Sequence, residues 1–164
     1  MVLSVLCATF PMVVFVTLVW LADRYDREPL WLVALSFLWG ATGAVLLALP
    51  SNTLFDVVIG FAIAPALALL GVPLDFSHQF IGPAIGAPLF EEPAKAIFLL
   101  FVAWNRRPHD MSSGFVYGAA IGLGFGMTEN LVYFTRVSGS FETWIWTVVI
   151  RTLYSALLHA MASS

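Results

Sequence analysis

Three charged side chains stand together at the head of an apolar run in "FEEPAKAIFLL", Phe90 to Leu100. Glu91 lies four residues before Lys95 and Glu92 three before it, spacings that make side chains neighbours on a helix. Lys95, the chain's only lysine, is therefore placed to neutralise either carboxylate. Adjacent residues diverge by about 100° around a helix of 3.6 residues per turn, so one glutamate can face a cavity while the other holds Lys95 or a neighbouring helix. Pro93 is best tolerated in a helix's first turn. That puts the pair near the N-terminal end of its helix, where the positive helix end favours ionised carboxylates.

Two further polar rows have helical spacing. In "GFVYGAAIGLGFGMTENLVYF" the glycines at 114, 118, 122 and 126 are four apart, the next step lands on Asn130, and Glu129 stands beside it. In the last run Arg151, Ser155, His159 and Ser163 are again four apart. Small residues at this spacing let helices approach closely in lipid. Taken singly, an ion pair, a glycine stripe or a buried histidine is explained by packing alone. Three carboxylates, a histidine, an asparagine and two cations in one small bundle exceed what helix association requires, and ionisable groups inside a membrane mark function.

The chemistry open to such a set is water activation. A glutamate can take a proton from water, a histidine can carry it to a leaving amine, and an asparagine amide can donate to an oxyanion. Glu129 and His159, with Glu91 or Glu92 as a third ligand, could instead hold a divalent metal such as zinc with an open position for water. Against the metal stands a lysine already offsetting the carboxylates, with no H-x-x-x-H pair to grip an ion. The H-E-x-x-H and G-x-S-x-G motifs are absent. Cys7, the single cysteine, has no basic partner nearby in sequence, and His78 and His109 fall in polar connections where solvation is expected.

The elements that must position these residues are helices in a membrane. Of the 164 residues 60% are hydrophobic and only 10% charged, and the mean hydropathy is +0.92, outside the range of soluble domains. One helical bundle fills this length, so the expectation is an all-α polytopic transmembrane bundle forming a single domain over residues 1–164. The first run, Met1 to Ala22, has no basic flank and is expected to be an uncleaved span. Further runs are Leu30 to Leu49, Leu54 to Val72, Gly86 to Trp104, Phe115 to Phe134 and Thr143 to the end, each near the ~20 residues a crossing needs. "PSN", "NRRPHD" and "RVSGSFE" read as connections. Arg24 and Arg27 after the first run, and Arg106 and Arg107 after the fourth, favour one side of the membrane for both loops. Three full crossings between the two loops would forbid this. Leu54 to Val72, with Asp56, Gly60, Pro65 and Gly71, is the candidate re-entrant or interfacial segment that leaves five crossings. The net charge of −3 says almost nothing about partners, and no nucleic-acid partner is expected.

The chain resembles the PrsW family of bacterial intramembrane proteases, within the wider group that includes CAAX-prenyl proteases. The resemblance rests on "DRYDREP" (Asp23 to Pro29), "EEPAK" (Glu91 to Lys95), "FGMTEN" (Phe125 to Asn130) and "HAMAS" (His159 to Ser163), similar to the family's E-P loop, E-E-x-x-K, F-x-x-x-E-N and H-x-x-x-S/T motifs and in the same order. It implies an integral protein of the bacterial cytoplasmic membrane that cleaves a membrane-anchored protein, as in the founding member's regulated proteolysis of an anti-sigma factor. It also implies catalytic roles for Glu91, Glu92 and His159, with Glu129 and Asn130 completing the site. The family is filed among metalloproteases, while a metal-free glutamate mechanism is argued for the related group. The chain ends five residues after His159, so a form shortened at its C-terminus is expected. An ion- or proton-coupled transport or scaffold protein using the same carboxylates is the alternative. A shared pocket among Glu91, Glu92, Glu129 and His159 would favour hydrolysis, and a file of polar groups across the bilayer would favour transport.

Overall fold

The structure, a computed structural model, describes residues 1–23, 27–73, 77–106 and 111–163. They form five helices: α1 (Val2–Ala22), α2 (Leu30–Ala68), α3 (Ala87–Arg106, entered through a π-helical lead-in, Ser77–Gly86), α4 (Met111–Arg136) and α5 (Phe141–Ser163). No strand occurs among the described residues. The fold is the expected all-α membrane bundle. Three of the described helices, α1, α2 and α5, are long and apolar enough to cross a bilayer by themselves. Runs 86–104 and 115–134 form α3 and α4, the helices that bear most of the buried charge.

α4 is the centre because its middle is made of small residues. Gly118, Ala119, Ala120, Gly122, Gly124 and Gly126 are all buried, so neighbours press against nearly its whole circumference. On one side α1 runs antiparallel to it. Met12 packs with Leu123 of α4 and Ala156 of α5, and further along Val16, Val19 and Trp20 pack against a cluster that includes Val116 and Tyr117. On another side α2 approaches so closely that a Cβ on Gly40 would collide with the carbonyl oxygen of Ile121. There α2 relaxes into a π-helical stretch, Trp39–Ala44, and the Thr128 hydroxyl of α4 donates to the Ala41 carbonyl at 2.7 Å. The Trp39 indole donates to the Ala94 carbonyl of α3 at 3.2 Å.

Three expectations are corrected here. "PSN" is not a connection: Leu30 to Leu49 and the whole of the next run up to Ala68 are one helix of 39 residues, and the supposed re-entrant segment is its second half. The local reason is that the polar side chains serve the helix. Ser51 Oγ donates to the Leu47 carbonyl at 3.2 Å and Thr53 Oγ1 to that of Leu49 at 2.9 Å, a back-bonding that keeps hydroxyls satisfied within a helix in apolar surroundings. Likewise Glu91 and Glu92 do not sit at a helix start. The chain is already helical from Ser77, and Pro93 lies in the interior of α3, so the helix end does not stabilise these carboxylates and side-chain partners must. His78 belongs to the π-helical lead-in and not to a loop. Arg24, Arg107 and His109, and the side chains of His78 and Arg106, lie outside the described residues.

The first connection is tied down at the other end of α4. Tyr117 donates its hydroxyl to the Glu28 carboxylate, and the Trp20 indole donates to the Glu28 carbonyl at 2.8 Å. The acidic loop motif thus anchors the α1–α2 turn to α4, on the far side from the polar rows.

Candidate active site

α3, α4 and α5 each turn their polar row to one place, and α2 closes it. Lys95 is 2% exposed, which for an ammonium inside an apolar bundle demands partners on every side. It has them: Glu92 Oε1 at 2.6 Å, His159 Nδ1 at 3.2 Å, Glu91 Oε2 at 3.9 Å, and the Phe125 ring centroid at 4.3 Å. An ammonium only donates, so His159 Nδ1 is the acceptor and the ring's proton is on Nε2. That Nε2–H donates to Glu129 Oε2 at 2.8 Å. The same oxygen is 3.2 Å from Arg151 Nη2. Arg151 Nε donates to Asn130 Oδ1 at 3.2 Å. A chain of ion pairs and hydrogen bonds therefore runs Glu92, Lys95, His159, Glu129, Arg151, Asn130 across three helices.

These groups border a cavity of about 980 Å³. Glu91, Glu92, Glu129, Arg151, Ser155 and His159 line it, together with Asn52 and Phe55 of α2. The convergence expected of the glutamates and His159 is present: one cavity, with His159 in hydrogen-bond contact with Glu129. Asn130 is placed differently. It is fully buried, does not line the cavity, and meets the site through Arg151. Two pairings were not legible from spacing. Asn52, from the misread "PSN", donates through Nδ2 to Glu91 Oε1 at 3.4 Å. Ser163 Oγ reaches Glu92 Oε2 at 3.5 Å. The only sequence signal for Asn52 was an amide inside an otherwise apolar run.

The three glutamates differ in how tightly they are held. Glu92 is locked to Lys95, and Glu129 is gripped by His159 and Arg151. Among the described residues, Glu91 has only the long contacts at 3.4 and 3.9 Å.

Comparison with known proteins joins this geometry to a family. A profile described as "PrsW family intramembrane metalloprotease" matches residues 28–164. A curated relative, "Protease PrsW" of Geobacillus kaustophilus (strain HTA426), is 29% identical over 154 residues, which cover 93% of this chain and 59% of that protein. The chain therefore spans about three-fifths of the relative's length. No solved structure matches. The family description implies a metal, and the donor set does not fit one as arranged. Both His159 nitrogens are engaged, by Lys95 and by Glu129, and an ammonium occupies the point where the glutamates of α3 meet the imidazole. No group of three or more His, Cys, Asp and Glu side chains among the described residues is disposed to share an ion. With three of the four motifs assembled around one cavity and the profile covering residues 28–164, this chain belongs to the PrsW family of intramembrane proteases.

Proposed function

We propose that the chain is the catalytic bundle of an intramembrane endopeptidase of the bacterial cytoplasmic membrane, which hydrolyses a peptide bond of a membrane-anchored protein, with Glu91 as the base that activates water. The observation that carries this reading is the unequal grip on the glutamates around one cavity. A base must exchange a proton with water, and Glu91 is the cavity glutamate not committed to a short ion pair. Water held by Glu91 loses a proton to it as its oxygen bonds to the scissile carbonyl carbon. As the C–N bond breaks, Glu91 gives up that proton and the leaving amine takes one up, with His159 and Glu129 as the relay. Lys95 and Glu92 hold His159 in its tautomer. The apolar flanks of the cavity, Val45, Leu49, Phe55, Ile150 and Leu158, suit an unwound segment of a single-span substrate, of which an anti-sigma factor is one example. The chemistry needs no metal in this reading.

The test compares Glu91→Gln with Glu92→Gln on a single-span reporter that the wild-type protein cleaves. Glu91→Gln keeps shape and removes the base, so kcat should fall by about 10²-fold or more with unchanged expression. Glu92→Gln should act chiefly on stability, and cleavage should survive treatment with a chelator. Wild-type turnover in Glu91→Gln, or activity abolished by chelation and restored by added zinc, rejects the reading.

A further inference from the structure

Arg151 is a charged residue outside the four sequence motifs, and its placement exceeds what a counter-ion for Glu129 needs. Glu129 already accepts a hydrogen bond from His159. The guanidinium is fixed on three sides: Nε on Asn130 Oδ1 at 3.2 Å, Nη2 on Glu129 Oε2 at 3.2 Å, and its plane over the Tyr133 ring with the carbon 3.5 Å from the centroid. Asn130 is fully buried, its Nδ2 has no hydrogen-bond partner among the described residues, and its Oδ1 is the acceptor that orients Arg151. Of the five N–H donors of an arginine these contacts use two. Nη1 has no protein acceptor among the described residues, and the side chain lines the cavity with 24% of its surface exposed. A pre-oriented cation with spare donors, in a cavity whose other walls include apolar side chains, is the arrangement that stabilises negative charge appearing on a substrate oxygen.

We propose that Arg151 binds the scissile carbonyl oxygen and stabilises the oxyanion of the tetrahedral intermediate, with Asn130 and Tyr133 as its positioning residues. When the water oxygen adds to the carbonyl carbon and its proton passes to Glu91, the C=O π pair moves onto oxygen. That oxygen is held by the free N–H groups of Arg151 until the pair returns and the C–N bond breaks, with the amine taking up a proton. This gives the buried Asn130 a task other than donating to substrate. The inference rests on the hydrolytic reading of the site, and its test separates the two.

The experiment measures kcat and KM for Arg151→Lys and Arg151→Gln with the same single-span reporter, alongside thermal unfolding and the Glu91→Gln control. Arg151→Lys keeps the charge beside Glu129 but cannot keep the planar fork, so it should unfold like wild type while kcat drops by about 10²-fold and KM stays within about twofold. Asn130→Ala should lower kcat, and the double variant Asn130→Ala/Arg151→Lys should be no slower than Arg151→Lys, because the two act through one donor. A folded Arg151→Lys with wild-type kcat overturns the oxyanion role while Glu91→Gln still reports on the base. So does a double variant whose losses multiply. If Arg151→Gln does not fold, the lysine variant alone decides.

Discussion

At the scale of single residues, Lys95 is the side chain on which the site hangs. It joins Glu92 on its own helix to His159 on another, and its burial leaves no water to replace either partner. Removing one member of a buried ionic pair leaves an uncompensated charge, whereas replacing both partners is far less harmful. Glu92 keeps 35% of its side chain exposed, so Lys95→Met should destabilise the protein by about 1–3 kcal/mol, and Lys95→Met/Glu92→Gln should recover much of that loss. Thermal unfolding in detergent measures both. If Lys95→Met unfolds like wild type, the Lys95–His159 bond is not holding α3 to α5. Spacing announced the Lys95–Glu92 contact, since three residues on a helix always bring such side chains together. Its bond to His159, 64 residues away, had no local signature.

At the scale of elements, the distance between α4 and α5 sets whether His159 reaches Glu129. A Cβ on Gly122 would collide with the His159 carbonyl oxygen, and one on Gly126 would crowd the His159 ring. The glycine stripe read from sequence is thus a seat for the histidine's own turn of helix. Its first member differs: a Cβ on Gly114 would meet nothing within 4 Å. Gly122→Ala should push α5 outward, lengthen the His159–Glu129 contact and lower both stability and cleavage. Gly114→Ala should be neutral or stabilising by up to about 1 kcal/mol, the helix preference of Ala over Gly. Paired melting curves check this, and equal effects at the two positions would count against the packing account. The period of four identified a packing face, but which glycines a neighbour touches depends on where α5 crosses.

At the scale of the whole molecule, α2 is the unexpected element. Its 39 residues extend about 58 Å at 1.5 Å per residue, nearly twice the ~30 Å of a hydrocarbon core. It therefore tilts strongly or leaves the core at one end, while its middle delivers Asn52 and Phe55 to the cavity. In a Cys7→Ser background, spin labels at Leu35→Cys and Leu69→Cys, both exposed positions, should lie about 50 Å apart if the helix is continuous. A distance below about 30 Å, roughly one bilayer core, would mean that the chain folds back at Pro50–Asn52 as a re-entrant segment would.

Composition and apolar run lengths alone determined that this chain is a helical membrane bundle, because hydrocarbon forces backbone groups to pair within each segment. The periods of three and four determined which polar residues share a helix face, because helix geometry is local. Those faces single out Glu91, Glu92, Glu129 and His159 as polar groups turned away from lipid. Tertiary structure decided which of those faces meet: that Lys95 joins His159, that Arg151 and Asn52 belong to the site, that Asn130 stands behind the cavity wall, and that the polar "PSN" continues a helix. Each of these depends on the register and crossing of helices far apart in the chain. That is settled by how small residues let them pack, and no single segment of the sequence contains it.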